Sequence, residues 1–176
     1  DYTIPVYSEF GVYKGWFIAE PGASYELILP PKSENTSTNP YFRPKMIHLG
    51  IKNCPPESTN WLIDDFSRQY NMEMSANMNQ IFYRRSLETA DTVVLRLQSK
   101  FQKTPNAYFE DFKTYKYAMI KYMALIQDPT PIIEEFFLEK PILYFHPEYI
   151  ELFDKLFTKY LQYATQQVDG QKTSVM

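Results

Sequence analysis

The side chains able to do chemistry in this chain are few and far apart. His48 and His146 are the two histidines, and neither sits in the His-x-x-x-His or Glu-x-x-His spacing that puts two ligands on one helix face. No metal site is expected from them. His146 stands directly before Pro147 and reads as the cap or flank of a helix. His48 lies in an extended segment, where alternate side chains face solvent. Cys54 is the single cysteine, so the chain has neither an internal disulfide nor a Cys-x-x-Cys pair. The stretch Asn53-Cys54-Pro55-Pro56 is a stiff turn that lacks any signature of a nucleophile, and the thiol reads as structural. Asp64-Asp65 and Glu134-Glu135 are adjacent carboxylates, but neighbouring positions on a helix diverge by about 100° and cannot meet over one substrate bond. Both pairs are expected in first helical turns, where the macrodipole favours negative charge. With 5 glycines there is no phosphate-cradling loop, nucleophile elbow or dinucleotide fingerprint. No catalytic, cofactor-binding or metal-ligating residue is expected, and the chain reads as non-enzymatic.

The aromatic content points instead to surfaces. The 15 tyrosines and 13 phenylalanines include amphipathic rings suited to binding sugars or proteins, although most fall at helical spacings and read as core. Tyr13 and Trp16 in a β-like run, with Tyr41 and Phe42 in a polar connection, are the expected binding surface. Asn35-Thr36-Ser37 fits a glycosylation acceptor, a signal void in a bacterial protein.

Composition sets the class. The chain has 176 residues, 44% hydrophobic and 22% charged, with a formal charge of −3. That places it among globular chains. Lys and Arg are interspersed with Asp and Glu, so no basic stripe exists to neutralise nucleic-acid phosphates. No apolar run approaches the roughly 20 residues of a membrane-spanning helix.

These residues must be positioned by an N-terminal β segment and a helical body. Tyr2, Ile4 and Val6 alternate, and Val12–Ile18 is a β-branched and aromatic run. Pro21-Gly22 suits a type II turn, with Tyr25–Leu29 expected as the return strand of a hairpin. Residues 1–30 thus form the β segment, read as the end of a truncated β domain. Residues 31–56 form a Pro-, Ser- and Asn-rich connection with one short strand over Lys45–Ile51. Residues 57–165 are expected to be helical and 166–176 a flexible tail.

The first helix is expected after a cap at Ser58, Thr59 or Asn60, with Leu62, Phe66, Tyr70, Met74 and Met78 along one face. A second spans about Thr89–Phe101. The third starts from Thr104 as cap and Pro105 as first residue, with Tyr108, Phe112, Tyr115, Met119, Tyr122 and Ile126 in one stripe. Thr130-Pro131 opens a fourth through Leu138. His146-Pro147 opens a fifth with Ile150, Phe153, Phe157, Tyr160 and Ala164 inward. The expected fold is mainly α: about five helices in an antiparallel or orthogonal bundle preceded by a β-hairpin or three-stranded segment, α+β overall.

The stretch Trp16-Phe17-Ile18-Ala19-Glu20-Pro21-Gly22-Ala23-Ser24-Tyr25-Glu26-Leu27-Ile28-Leu29-Pro30-Pro31, with Asn39-Pro40-Tyr41-Phe42 and Tyr115-Lys116-Tyr117-Ala118, resembles the region ahead of the thioredoxin-like module in Bacteroidetes envelope proteins of the TlpA-like thiol-disulfide oxidoreductase family. The resemblance implies a periplasmic or outer-membrane-associated location and a lipid anchor upstream. It also implies that residues 2–29 close a small β-sandwich. Because Cys-x-x-Cys is absent, no redox residue carries over. The expected role is a non-catalytic accessory domain whose partners are other domains of the same chain or an envelope protein. The alternatives are a small-ligand or glycan-binding module with a tyrosine-lined groove, and a hydrolase using acidic residues from different helices.

Overall fold

The computed structural model describes residues 4–10, 13–20, 22–28 and 45–158. These residues are mainly helical, with a small β part near the N-terminus. The chain divides into two compact units, one holding residues up to Glu73 together with Phe101–Glu110, the other holding Met74–Lys100 and the chain from Asp111 onward. The division falls inside two helices.

In the first unit, β1 (Ile4–Phe10) pairs antiparallel with β2 (Tyr13–Ala19), and β2 pairs in parallel with β4 (Lys45–His48). Both edges of β2 are therefore taken. The expected return strand, β3 (Glu26–Ile28), does not fold back on β2 but pairs antiparallel with β5 (Gly50–Lys52). The turn that led to the hairpin expectation does form: Ala23 N–H donates to the Glu20 carbonyl at 3.2 Å, with Gly22 at φ 75°. Leu49 explains the change of partner. Its N–H donates to the Trp16 carbonyl at 2.7 Å, and its buried side chain fills the space a Cβ on Gly15 would need.

Helix α1 (Thr59–Met78) is capped by Ser58, whose hydroxyl accepts from Trp61 N–H at 3.4 Å. Asp64 and Asp65 fall in its second turn, not its first. They serve side-chain partners instead of the macrodipole, Asp64 facing His48 at 2.9 Å and Asp65 facing Arg68 at 3.2 Å. Asn60 fastens the sheet to this helix. Its Oδ1 accepts from Ile18 N–H and its Nδ2 donates to the Ile18 carbonyl, both at 2.8 Å. Ile18 faces the β4 edge of β2, as Trp16 does, but lies beyond the last residue paired with β4. The amide of Asn60 thus replaces missing sheet partners.

Helix α3 (Ala107–Ala124) is capped by Asn106, not by Thr104 as expected. Phe109 N–H donates to Asn106 Oδ1 at 3.0 Å, whereas the N–H and hydroxyl of Thr104 both donate to Glu110 Oε1, at 2.8 and 2.9 Å. Around the first unit's core, the Phe66 ring meets Phe101 and Phe109 edge-on, with centroids 5.1 and 6.1 Å apart.

The second unit contains the end of α1 and a π-helical turn at Asn79–Tyr83. It also holds α2 (Leu87–Lys100), the body of α3, α4 (Thr130–Phe136) and α5, residues 147–158. Ser86 caps α2, Pro129 occupies the cap position of α4, and the His146 carbonyl accepts from Ile150 N–H at the start of α5. Glu134 and Glu135 sit in the second turn of α4, and Glu135 pairs with Lys121 at 3.3 Å. The core joins Tyr115, Ala118 and Met119 to Ile132, Tyr149, Leu152 and Leu156. The inward face of α5 is therefore turned by one residue from the expected one, and Ile150 and Phe153 are exposed. Tyr160 and Ala164 lie outside the described residues.

Replacing Asn60 with Ala leaves two buried backbone groups of Ile18 without partners. At about 1–3 kcal/mol per orphaned group, a loss of roughly 2–6 kcal/mol is expected. Chemical denaturation followed by fluorescence checks it, and a loss below about 1 kcal/mol would show that Ile18 finds other partners.

Candidate functional site

In the first unit, the groups with chemical potential are committed to structure. His48 is largely buried, with its ring edge-on to Trp16 at 4.8 Å. Its Nδ1 faces Asp64 Oδ1 at 2.9 Å and its Nε2 faces Asn60 Oδ1 at 3.1 Å. Since Ile18 N–H already fixes Asn60 Oδ1 as an acceptor, Nε2 must donate to it. Both ring nitrogens thus have partners within the unit. Cys54 is tied in the same way: the Ser58 hydroxyl donates to the Pro55 carbonyl at 2.7 Å, so the thiol 3.2 Å from it acts as the donor. The expected surface residue Trp16 is 4% exposed and belongs to the core, because Leu49 and His48 cover the strand from which it projects. The side chain of Tyr13, and Tyr41 and Phe42 altogether, lie outside the described residues.

In the second unit, sequence spacing gave no hint of a cluster at the start of α5. Glu148 and His146 are both buried, with His146 Nδ1 3.6 Å from Glu148 Oε2 and Lys116 Nζ 3.5 Å from Glu148 Oε1. Burial pushes the Glu148 carboxyl above its ordinary 4.5, the charge of Lys116 and a backbone hydrogen bond pull it down, and Glu151 pushes it up again. An acid beside a base suggests proton transfer, but none of the three lines the two hollows described below. Among the described residues no group of three His, Cys, Asp or Glu side chains is arranged to hold a metal ion.

The smaller hollow, about 340 Å³, lies between α3 and α4 and is bordered by Asp111 and Glu135, with Tyr115 in its wall. Glu135 is held by Lys121. The Tyr115 phenol, pushed up to about 12 chiefly by burial and further by Tyr149 and Asp111, keeps its proton at neutral pH and donates to the Phe136 carbonyl at 3.4 Å. Acid-pair hydrolysis needs a carboxyl held protonated beside an ionised one. Glu148, whose carboxyl burial raises, is not at this hollow.

The larger hollow, about 650 Å³, falls within the range of small-molecule sites. Met78, Phe82 and Tyr83 come from the end of α1 and the π-helical turn. Met119, Tyr122 and Met123 of α3, with Ile126 after it, form the floor, and Asp154, Lys155 and Thr158 of α5 supply the polar rim. Methionines adapt to irregular apolar shapes, and two tyrosines add amphipathic edges. Tyr122, Met119 and Ile126 were legible as one stripe. Their service as a wall depends on the π-helical turn, which no propensity signals.

The chemistry of Glu148 has a sign that can be checked. A raised carboxyl favours the protonated form, so its contribution to stability is complete below pH 4.5 and is lost as pH rises through the folded value. Glu148→Gln mimics the protonated form and does not titrate. The stability of the variant relative to the native protein is expected to climb from pH 4 to pH 7 in chemical denaturation at a series of pH values. A flat or falling difference would mean that Lys116 outweighs burial.

Comparison of the chain with protein-family models, curated proteins and solved structures finds no match, so the larger hollow and its lining are the strongest guide to function.

Proposed function

We propose that this chain is a non-catalytic accessory domain of a bacterial cell-envelope protein, whose helical unit binds a small, largely apolar molecule. One observation carries the binding role: the hollow of about 650 Å³ has methionine and aromatic walls and a rim with few polar groups. Volume, apolar lining and sparse polar edges are what a ligand site needs. Burying an apolar ligand there yields about 25 cal/mol per Å² removed from water. The hollow contains two tyrosines, but its methionines and Phe82 favour aliphatic or aromatic matter over a glycan.

The accessory role has its own support. Leu138, Ile142, Tyr144 and Phe145 form an exposed apolar run between α4 and α5, with Tyr144 70% and Phe145 74% exposed, and such runs mark contacts with other protein. The envelope setting rests on the resemblance of residues 16–31. Among the described residues no helix is long and apolar enough to cross a membrane.

Nile red, an uncharged dye whose emission rises in apolar surroundings, tests the binding role. Saturable one-site binding to the full chain is expected, and Met78→Trp, which fills the hollow from a partly exposed position, is expected to weaken it roughly tenfold, the loss of one large apolar contact. Unsaturable binding, or binding indifferent to Met78→Trp in a variant that melts like the native protein, would remove the proposal. Fractionation of a producing bacterium is expected to find the protein in the periplasm or with the outer membrane.

A further inference from the structure

The larger hollow is flanked by a cation with unused capacity. Arg85 follows the π-helical turn, and its backbone is held at φ 55°. Its Nη1 donates to the Met123 carbonyl at 2.7 Å, and its guanidinium carbon lies 4.7 Å from the centre of the Phe82 ring. Its charge also reaches Tyr122: burial pushes that phenol up, and Arg85 opposes the rise. Three residues of the hollow wall, Phe82, Tyr122 and Met123, therefore converge on one guanidinium.

Of the two charges on the rim itself, one is matched by an opposite charge. Lys155 lies 3.6 Å from Glu151, whereas Asp154, which accepts from the neutral Thr158 hydroxyl at 2.5 Å, keeps its charge. Arg85, by contrast, pairs with no carboxylate among the described residues, and a guanidinium has five N–H donors, of which one is used here. Among the described residues, Arg85 is the cation beside this apolar space that has donors to spare.

Resting on the reading of the hollow as a ligand site, we propose that its ligand is an amphipathic anion, a small molecule with an aliphatic or aromatic body and one carboxylate. The body lies along Met78, Met119 and Met123. The carboxylate reaches the edge where Phe82 and Tyr122 meet and takes the remaining guanidinium donors in the forked geometry that arginine offers to a planar anion. The Tyr122 hydroxyl, whose bond to the Lys155 carbonyl is long at 3.5 Å, is placed to turn toward the same oxygen. A planar anion also suits a cation stacked on an aromatic face.

Calorimetry on the full chain with dodecanoate, dodecanol and dodecylammonium, each below its micellar concentration, tests the inference. Dodecanoate is expected to bind at least roughly tenfold tighter than dodecanol, and dodecylammonium weakest, as one charge-assisted contact requires. Arg85→Asn, which tolerates the left-handed backbone, is expected to lower dodecanoate to the level of dodecanol while leaving dodecanol unchanged. Arg85→Lys should keep part of the preference. Met78→Trp should weaken both carboxylate and alcohol.

Equal affinity for the three amphiphiles, a preference for the ammonium, or a carboxylate preference that survives Arg85→Asn would overturn the anion inference while the hollow remains a ligand site. Failure of all three to bind would show the hollow closed or filled by polypeptide, and the ligand reading would fall with the inference. Carboxylate binding indifferent to Met78→Trp would place the site elsewhere and overturn it as well.

Discussion

Helix α3 carries buried side chains around most of its circumference: Phe112, Tyr115, Tyr117, Ala118, Met119, Ile120 and Ala124 are all nearly inaccessible. A helix apolar on every side has to be covered on every side. One sector, Tyr115, Ala118 and Met119, receives Ile132 from α4 and Tyr149, Leu152 and Leu156 from α5. On the adjoining sector, Met119, Tyr122 and Met123 continue the apolar surface, but α5 there presents Asp154, Lys155 and Thr158. Its apolar face has already been used on the core. The hollow is the place where the cover of α3 changes from apolar to polar before the apolar floor ends, and an apolar body seated there would complete the burial that the chain begins.

How much of this the sequence disclosed depends on how local the cause is. The helices follow from spacing and punctuation, and the Ser58 cap was among the residues expected to supply one. The end of α3 at which Asn106 competes with Thr104 was harder, because both residues can cap and the choice rests on Glu110, which holds Thr104 from within the helix. The face of α5 was misread for a related reason. Tyr149, Ile150, Leu152, Phe153, Leu156 and Phe157 allow two overlapping stripes, and only the neighbours Ile132 and Tyr115 select the one that turns inward. Phe153 and Phe157 are not idle in the other stripe, since both lie within ring contact of Phe137.

Pairings between distant segments were not legible. The expectation that β3 returns onto β2 followed from a turn that does form, yet β2 meets β1 and β4 along both edges. The decisive features are the absent side chain at Gly15 and the fit of Leu49 into its place. Nothing in the alternation of either strand reports this. His48 is comparable: its position in an extended segment was readable, whereas its burial depends on Asn60 and Asp64, which come from a helix that starts after the connection ends.

Left-handed backbone by itself does not single out a functional residue here. Asn53, Glu57, Arg85 and Glu139 all have positive φ, at an expense of order 1–3 kcal/mol for a residue without special tolerance. Asn53 bears it readily, and Glu57 and Glu139 stand in short links where the chain must reverse. What separates Arg85 is the destination of its side chain. The π-helical turn widens the exit from α1 by one residue, and the left-handed step that follows turns the guanidinium back onto Phe82 and the Met123 carbonyl. A solvent-facing arginine would reach water from an unstrained backbone at no such expense. The strain is offset by two contacts that fix a cation against the wall of the hollow, and fixing a cation in advance has an energetic use when an anion is to be met there.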